Sequence, residues 1–391
     1  MNHAHYLAWQ YLRFHWIKTL VLTVSISLVL FIPLSMNFLV NKSAKRFSAR
    51  AESTPLVVGT KGSATDLTLN TLYFKEPIAD PLTFNELEML QHDSVSAIPL
   101  HSQFEAKGFS IVGTSLDYLQ FRSLQLAEGR PFVVLGECII GADVSRSTGL
   151  TIGESLVTTP AGAFDVAGSF PLKMKVVGVL SASNTPDDQA IFVDLKTSWI
   201  IAGLAHGHQD LVAGPDSLLM SRSDTNVVAN PSVLSYTEIT DENLESFHFH
   251  GDISNFPVDA ILVVPKNRRQ SIQLRGRFEE RTENVQMIVP LTIINDLVST
   301  MFTIRDTVVA AGIVVATAAL AIIALVFWLS LKLRQKEINT MKKIGGSNAV
   351  INSILGLEIG LIMGIGILLA GLGTMLFARF GLPLVESILT N

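Results

Sequence analysis

The chain has 391 residues, 48% of them hydrophobic, with a mean hydropathy of +0.41 and a formal net charge of −5. That balance excludes the basic footprint of a nucleic-acid-binding protein, and no nucleic-acid partner is expected. Cys138 is the sole cysteine, so one chain can build neither a disulfide nor a thiolate zinc cluster, and any metal must be held by His, Asp, Glu or water.

Residues 1–18 read as a cytoplasmic interfacial segment, because Tyr11, Phe14 and Trp16 stand beside Arg13 and Lys18. Residues 19–40, "TLVLTVSISLVLFIPLSMNFLV", form the first membrane span, since about 20 consecutive apolar residues cross a bilayer as a helix. The run exceeds the ~7–15 apolar residues of a cleavable signal, and no small-residue cleavage site follows it, so it reads as an uncleaved anchor. Residues 307–331 and 350–378 form the second and third spans. The 332–349 loop between them carries Lys332, Arg334, Lys336, Lys342 and Lys343, which places it in the cytoplasm and residues 41–306 outside. Lys42, Lys45, Arg46 and Arg50 pull the other way after the first span. Parity with the basic loop then sets the amino terminus inside and the 379–391 tail outside.

The large outer segment reads as mixed α/β. "AILVVP" (Ala260–Pro265) and "VQMIVP" (Val285–Pro290) look like short buried strands flanking a charged helix, and "TFNE" (Thr83–Glu86) has the spacing of a helix-starting capping box. Residues 133–205, with recurring glycines and β-branched runs, predict a smaller β-rich lobe, followed by a histidine-containing insert over 206–256. Ile293, Leu297, Met301, Ile304 and Val308 recur at helical spacing, which predicts one helix of some 40 residues and roughly 60 Å from Leu291 through the membrane. A bend near Arg305 and Asp306 is the alternative.

Two histidine pairs stand out in the insert: His206 with His208, and His248 with His250, the latter followed by Asp252. Alternate residues of a strand share a face, so His248, His250 and Asp252 have the spacing of metal ligands. Imidazoles from both pairs, with Asp252, would suit zinc or another borderline divalent ion. The other reading is two polar loops, with Gly207 marking a turn. Neither pair forms H-E-x-x-H, and no acid, base and nucleophile set of an enzyme is visible.

On the third span, Gly356, Gly360 and Gly364 recur every four residues, which lets another helix approach closely: span one, span two or a second permease. Glu358 on the same helix is costly in hydrocarbon, so it should be paired, protonated or near headgroups. The phosphate-cradling G-x-x-x-x-G-K-[ST] run is missing, and "GTKGSATD" (Gly59–Asp66) is too short to replace it.

"RQKEINTMKKIGGSNAVINSILGLEIG" (Arg334–Gly360) resembles the segment between membrane helices in permeases of the MacB, LolC/LolE and FtsX superfamily. Arg334, Glu337, Ile338, Ile344, Gly345, Gly346, Ser347 and Glu358 occupy the places of that pattern. "GTSLDYLQFRSLQLAEGRPF" (Gly113–Phe132) and "KVVGVLSASNTPDDQAIFVDLKTSW" (Lys175–Trp199) are similar to the outer domain of MacB-type permeases. The family usually carries a fourth membrane helix, whereas 13 residues, "RFGLPLVESILTN", follow Ala378.

The resemblance implies an α-helical membrane protein with a large mixed α/β extracytoplasmic domain, a MacB-like porter lobe plus the smaller β-rich lobe, in a bacterial inner membrane. It implies a non-catalytic permease whose partners are a LolD- or MacB-like ATP-binding subunit holding ATP and Mg, a second permease protomer, membrane lipid and a periplasmic binding or adaptor protein. Arg334, Lys336, Glu337, Lys342 and Lys343 would be exposed to the ATPase, with Ile338, Met341 and Ile344 behind them and Gly345, Gly346 and Ser347 reversing the chain. ATP-driven motion would act on a periplasmic substrate. The histidine-rich insert is similar to one in permeases of zinc-responsive transport systems. An FtsX-like transmitter controlling a cell-wall hydrolase is the alternative.

Overall fold

The computed structural model describes residues 3–75, 78–92, 95–159, 171–207, 219–222, 227–229, 237–281, 284–343, 345 and 347–381. The chain divides into a helical unit, Met1–Phe47 with Asp296–Asn391, and a sheet unit, Ser48–Asn295.

In chain order the elements begin with helices α1 (His3–Phe14) and α2 (Trp16–Glu52), then strand β1 (Leu56–Thr60), α3 (Ala64–Tyr73), β2 (Leu82–Thr83), α4 (Phe84–His92), β3 (Ser96–Ala106) and β4 (Phe109–Thr114). Next come α5 (Leu116–Phe121), β5 (Leu126–Gly129), β6 (Glu137–Ile140), α6 (Ala142–Thr148), β7 (Ser155–Val157), β8 (Lys173–Leu180), β9 (Ala190–Asp194) and α7 (Leu195–Ile201). Then follow β10 (Ala205–His206), β11 (Leu219–Arg222), β12 (Val227–Ala229), β13 (His248–Phe249) and β14 (Pro257–Val258). The chain then runs through β15 (Ala260–Val264), α8 (Arg268–Glu280), β16 (Val285–Ile288), α9 (Pro290–Leu333), α10 (Gln335–Lys343) and α11 (Asn348–Leu376).

The sheet unit is built on one ten-stranded mixed sheet in the order β16-β1-β15-β3-β4-β9-β6-β8-β5, with β7 also on β8. β4 with β9 and β6 with β8 run parallel; the other pairs are antiparallel. Central strands such as "AILVV" of β15 and "AIFVD" of β9 are buried at four successive positions, because helices or loops cover both faces. The edge strand β5, "LAEG", is mostly exposed. The β-rich lobe expected over 133–205 is instead one wing of this sheet. β9 joins it to β4 through five parallel register pairs, and one buried cluster containing Val57, Leu100, Val112, Ile139 and Phe192 runs under both wings.

The expected strands and the helix between them stand at β15, α8 and β16. The expected capping box is used differently. Glu86 is buried and accepts two hydrogen bonds from Arg281, at 2.9 and 3.0 Å, since a guanidinium fork is a stronger partner than a backbone N–H.

Among the described residues three helices are long and apolar enough to cross a membrane: Trp16–Glu52, Pro290–Leu333 and Asn348–Gly381. α9 is continuous across Arg305 and Asp306, whose side chains pair with each other, and its 44 residues span about 66 Å. Within the helical unit α11 packs through a stripe of Ile351, Ile354, Glu358, Ile362, Gly366 and Ala370. A Cβ added at Gly366 would lie 2.8 Å from the Ile26 side chain, and one at Gly373 would lie 3.2 Å from the Phe31 ring. Gly356, Gly360 and Gly364 stand elsewhere: they are exposed, and a Cβ on any of them meets nothing within 4 Å. The close approach of α11 to α2 therefore uses the later glycines Gly366 and Gly373.

Gly366→Leu should lower the thermal unfolding temperature of the detergent-purified protein, with overpacking costing about 1–3 kcal/mol. Gly371→Leu, at an exposed position of the same helix with nothing within 4 Å, should leave that temperature unchanged.

Candidate functional site

Arg334 stands at the turn between α9 and α10, where the resemblance would have it exposed. The structure turns it inward. Its side chain is 14% exposed, its Nη1 donates to both carboxylate oxygens of Glu358 at 3.1 and 3.2 Å, and its guanidinium lies 3.6 Å from the centre of the Tyr11 ring. An uncompensated carboxylate on the buried stripe of α11 would be costly, so the pair forms where α1, the turn and α11 meet. A planar cation stacked on an aromatic face adds to it. Glu358 is thereby paired.

α10 follows with Lys336, Lys342 and Lys343 exposed and Ile338 half-buried. Glu337 and Met341 lie within this helix, and their side chains fall outside the described residues, as do Ile344 and Gly346. Gly345 takes φ +98°, a conformation that side chains rarely adopt, and its N–H donates to the Lys342 carbonyl at 3.1 Å. Ser347 then caps α11, its Oγ accepting from the Val350 N–H at 3.3 Å.

A second charged centre lies in the sheet unit at the last turn of α2. Arg50 donates from Nη1 and Nη2 to the two oxygens of Asp187 at 2.5 and 2.9 Å, from Nη2 to the Tyr118 hydroxyl at 3.0 Å, and from Nε to the Leu72 carbonyl at 2.8 Å. Tyr118 in turn donates to Asp187 at 2.7 Å. All three side chains are buried. Burial alone would raise the Asp187 pKa; the charge and hydrogen bonds of Arg50, with the Tyr118 hydroxyl, more than offset it, so the carboxyl sits below the usual aspartate range. Burial, with Asp187 beside it, pushes Tyr118 up to about 12 and keeps it a donor. This centre was missed from sequence, where Arg50 reads as one of four basic residues after a span. Tyr118 and Asp187 lie in the two segments similar to MacB-type outer domains, which was the available signal.

The histidines meet. β10 and β13 pair antiparallel with His206 opposite His248, and the His250 N–H donates to the Leu204 carbonyl at 2.9 Å, continuing the register. Period-two alternation sends Ala205, Phe247 and Phe249 into the buried clusters and His206, His248 and His250 to the other face. Their ring centres lie 4.6, 4.8 and 5.2 Å apart, and one ligand nitrogen from each lies within 4.8 Å of the others. Gly207 is buried, and its role is close packing where the sequence suggested a turn: an added Cβ would lie 2.6 Å from the Phe247 ring. Asp252 does not join the histidines. Gly251, at φ +94°, ends the alternation, and the Asp252 carboxylate accepts from the Ser254 N–H at 3.0 Å. His208 lies outside the described residues.

A family model for the MacB-like periplasmic core domain matches residues 17–234, more than half of the chain. The chain belongs to the MacB/FtsX-type ABC transporter permeases that carry this domain. Among solved structures it is similar to the periplasmic region of MacB from Actinobacillus actinomycetemcomitans, at 9% identity over 62% of this chain and 92% of that one, with a TM-score of 0.36. It is also similar to the extracellular domain of the noncanonic ABC-type transporter YknZ from Gram-positive bacteria, at 12% identity over 60% of this chain and 98% of that one, with a TM-score of 0.32. No curated protein matches the chain.

Asp187→Asn should destabilise the sheet unit by about 3–5 kcal/mol in denaturant unfolding, because it leaves the Arg50 charge buried without its counter-ion. Since the folded pKa of Asp187 is depressed, its contribution is complete above the unfolded value of about 4 and is lost as pH falls through the folded one. The gap between wild type and Asp187→Asn should therefore narrow as the pH drops below about 4.

Proposed function

We propose that this chain transmits ATP-driven motion from a separate ATPase to its own outer sheet unit, which acts on a substrate already outside the cytoplasmic membrane. The observation that carries this reading is the mounting of α10. A nine-residue helix presents Lys336, Lys342 and Lys343 to solvent, with the Arg334–Glu358 clamp at one end and the Gly345 turn with the Ser347 cap at the other. A push on such a helix is passed to α9 and α11 instead of being absorbed by a loose loop. α9 is continuous for 44 residues, and the last turn of α2 is fixed in the sheet unit by Arg50. These features suit helices that carry displacement.

In this reading a LolD- or MacB-like ATPase dimer holds ATP and Mg and docks on α10, with Glu337 and Met341 among the contacts. Two permease protomers sit on the dimer in a bacterial inner membrane, and the exposed Gly356, Gly360 and Gly364 row of α11 is a face for the second copy. A periplasmic binding or adaptor protein supplies the substrate.

The test is reconstitution in nanodiscs with the ATPase that copurifies from native membranes. Glu337→Ala and Gly345→Val should leave insertion and abundance unchanged while lowering coupled ATP turnover about tenfold or more, a loss of at least ~1.4 kcal/mol of coupling. Wild-type turnover in both variants would overturn the assignment of α10. A wall hydrolase copurifying in place of a binding protein would favour the FtsX-like alternative.

A further inference from the structure

We infer that the sheet unit carries a three-histidine metal site, formed by His206, His248 and His250, that takes a borderline divalent cation, zinc above all. The inference is independent of the ATP-coupling reading and rests on geometry alone.

Three features of the ribbon favour a bound cation. First, the side-chain placement follows from pairing: His206 and His248 are directly opposite, and His250 is the diagonal neighbour on the same face. Three imidazoles converge because the opposite row, Ala205, Phe247 and Phe249, is packed into the core. Second, the distances are close to what a metal demands. Tetrahedral coordination at Zn–N of about 2.0–2.1 Å puts ligand nitrogens about 3.3 Å apart. The three ligand nitrogens already lie within 4.8 Å of one another. His250 is exposed, and rotation about its side-chain torsions moves its ligand nitrogen relative to the other two.

Third, one ligand is already oriented. The His248 Nδ1 lies 3.0 Å from the Ser246 carbonyl, which can only accept, so Nδ1 carries the proton and Nε2 presents the lone pair. A backbone carbonyl on the outer nitrogen is the usual second support of a metal-binding imidazole. The donor set selects the ion: neutral nitrogens suit zinc, copper, nickel or cobalt, whereas calcium and magnesium need oxygens. Among the described residues three imidazoles gather on one face, and a tetrahedral zinc site takes its fourth donor from water or from another side chain.

The experiment is calorimetric titration of Zn2+ into the full-length protein in nanodiscs, with Co2+ as the spectroscopic probe. One Zn2+ should bind per chain with three nitrogen scatterers at about 2.0–2.1 Å in X-ray absorption, and Co2+ should show the d–d absorption of a four- or five-coordinate site. His206→Ala, His248→Ala and His250→Ala should each weaken binding about 100-fold or more, while Asp252→Ala should not change it. Circular dichroism of each variant confirms that folding is retained, and competition with excess Mg2+ should displace nothing. If the wild type takes up no Zn2+, or if uptake survives replacement of all three histidines and so belongs to others such as His3 and His5, the site does not exist.

Discussion

Arg50 is the last basic residue of a helix that begins in apolar sequence at Trp16, and its guanidinium ends in the interior of the sheet unit. A buried charge tolerates no vacancy among its partners. Four of its contacts are fixed at once: two on Asp187, one on Tyr118 and one on the Leu72 carbonyl. Asp187 comes from the turn before β9, Tyr118 from α5 and Leu72 from α3, so one side chain ties the end of α2 to three separate pieces of the fold. A planar fork can hold all of these acceptors where a lysine could not. The last turn of α2 is thereby held within the sheet unit by hydrogen-bond geometry.

The helical unit repeats the device with another arginine. Arg334 joins the turn before α10 to α11 through Glu358 and stacks on Tyr11 of α1. The same unit holds an apolar cluster of Leu12, Leu22, Ile26, Ile323 and Ile362. A buried ion pair adds little net stability compared with apolar residues of similar size, but separating its members is expensive. It therefore acts as a constraint on the relative position of the elements that meet there.

The histidine ribbon shows a third use of the same logic, without charge. Only two residue pairs of β10 and β13 meet, yet this is enough to gather three imidazoles, because register decides which face every side chain takes. Gly207 permits Phe247 to lie close against the chain, and the inward aromatic row holds the outward row in place.

The amino-acid sequence by itself determined what depends on runs and periods. Long apolar stretches gave three helices fit to span a bilayer, the period of α9 gave a single unbroken helix, and short β-branched runs gave β15 and β16 at the ends of a charged helix. The histidine spacing was visible as well, because alternation is a local property. Tertiary structure decided every pairing between distant segments: Arg50 with Asp187, Arg334 with Glu358, Glu86 with Arg281, and His206 with His248. It also decided which glycine row of α11 meets α2, and that residues 133–205 belong to a shared sheet. The physical reason is the same in each case. A charge, a glycine or an imidazole has the same local signature whether it faces water or a partner, and only the folded chain brings the partner within a few ångströms.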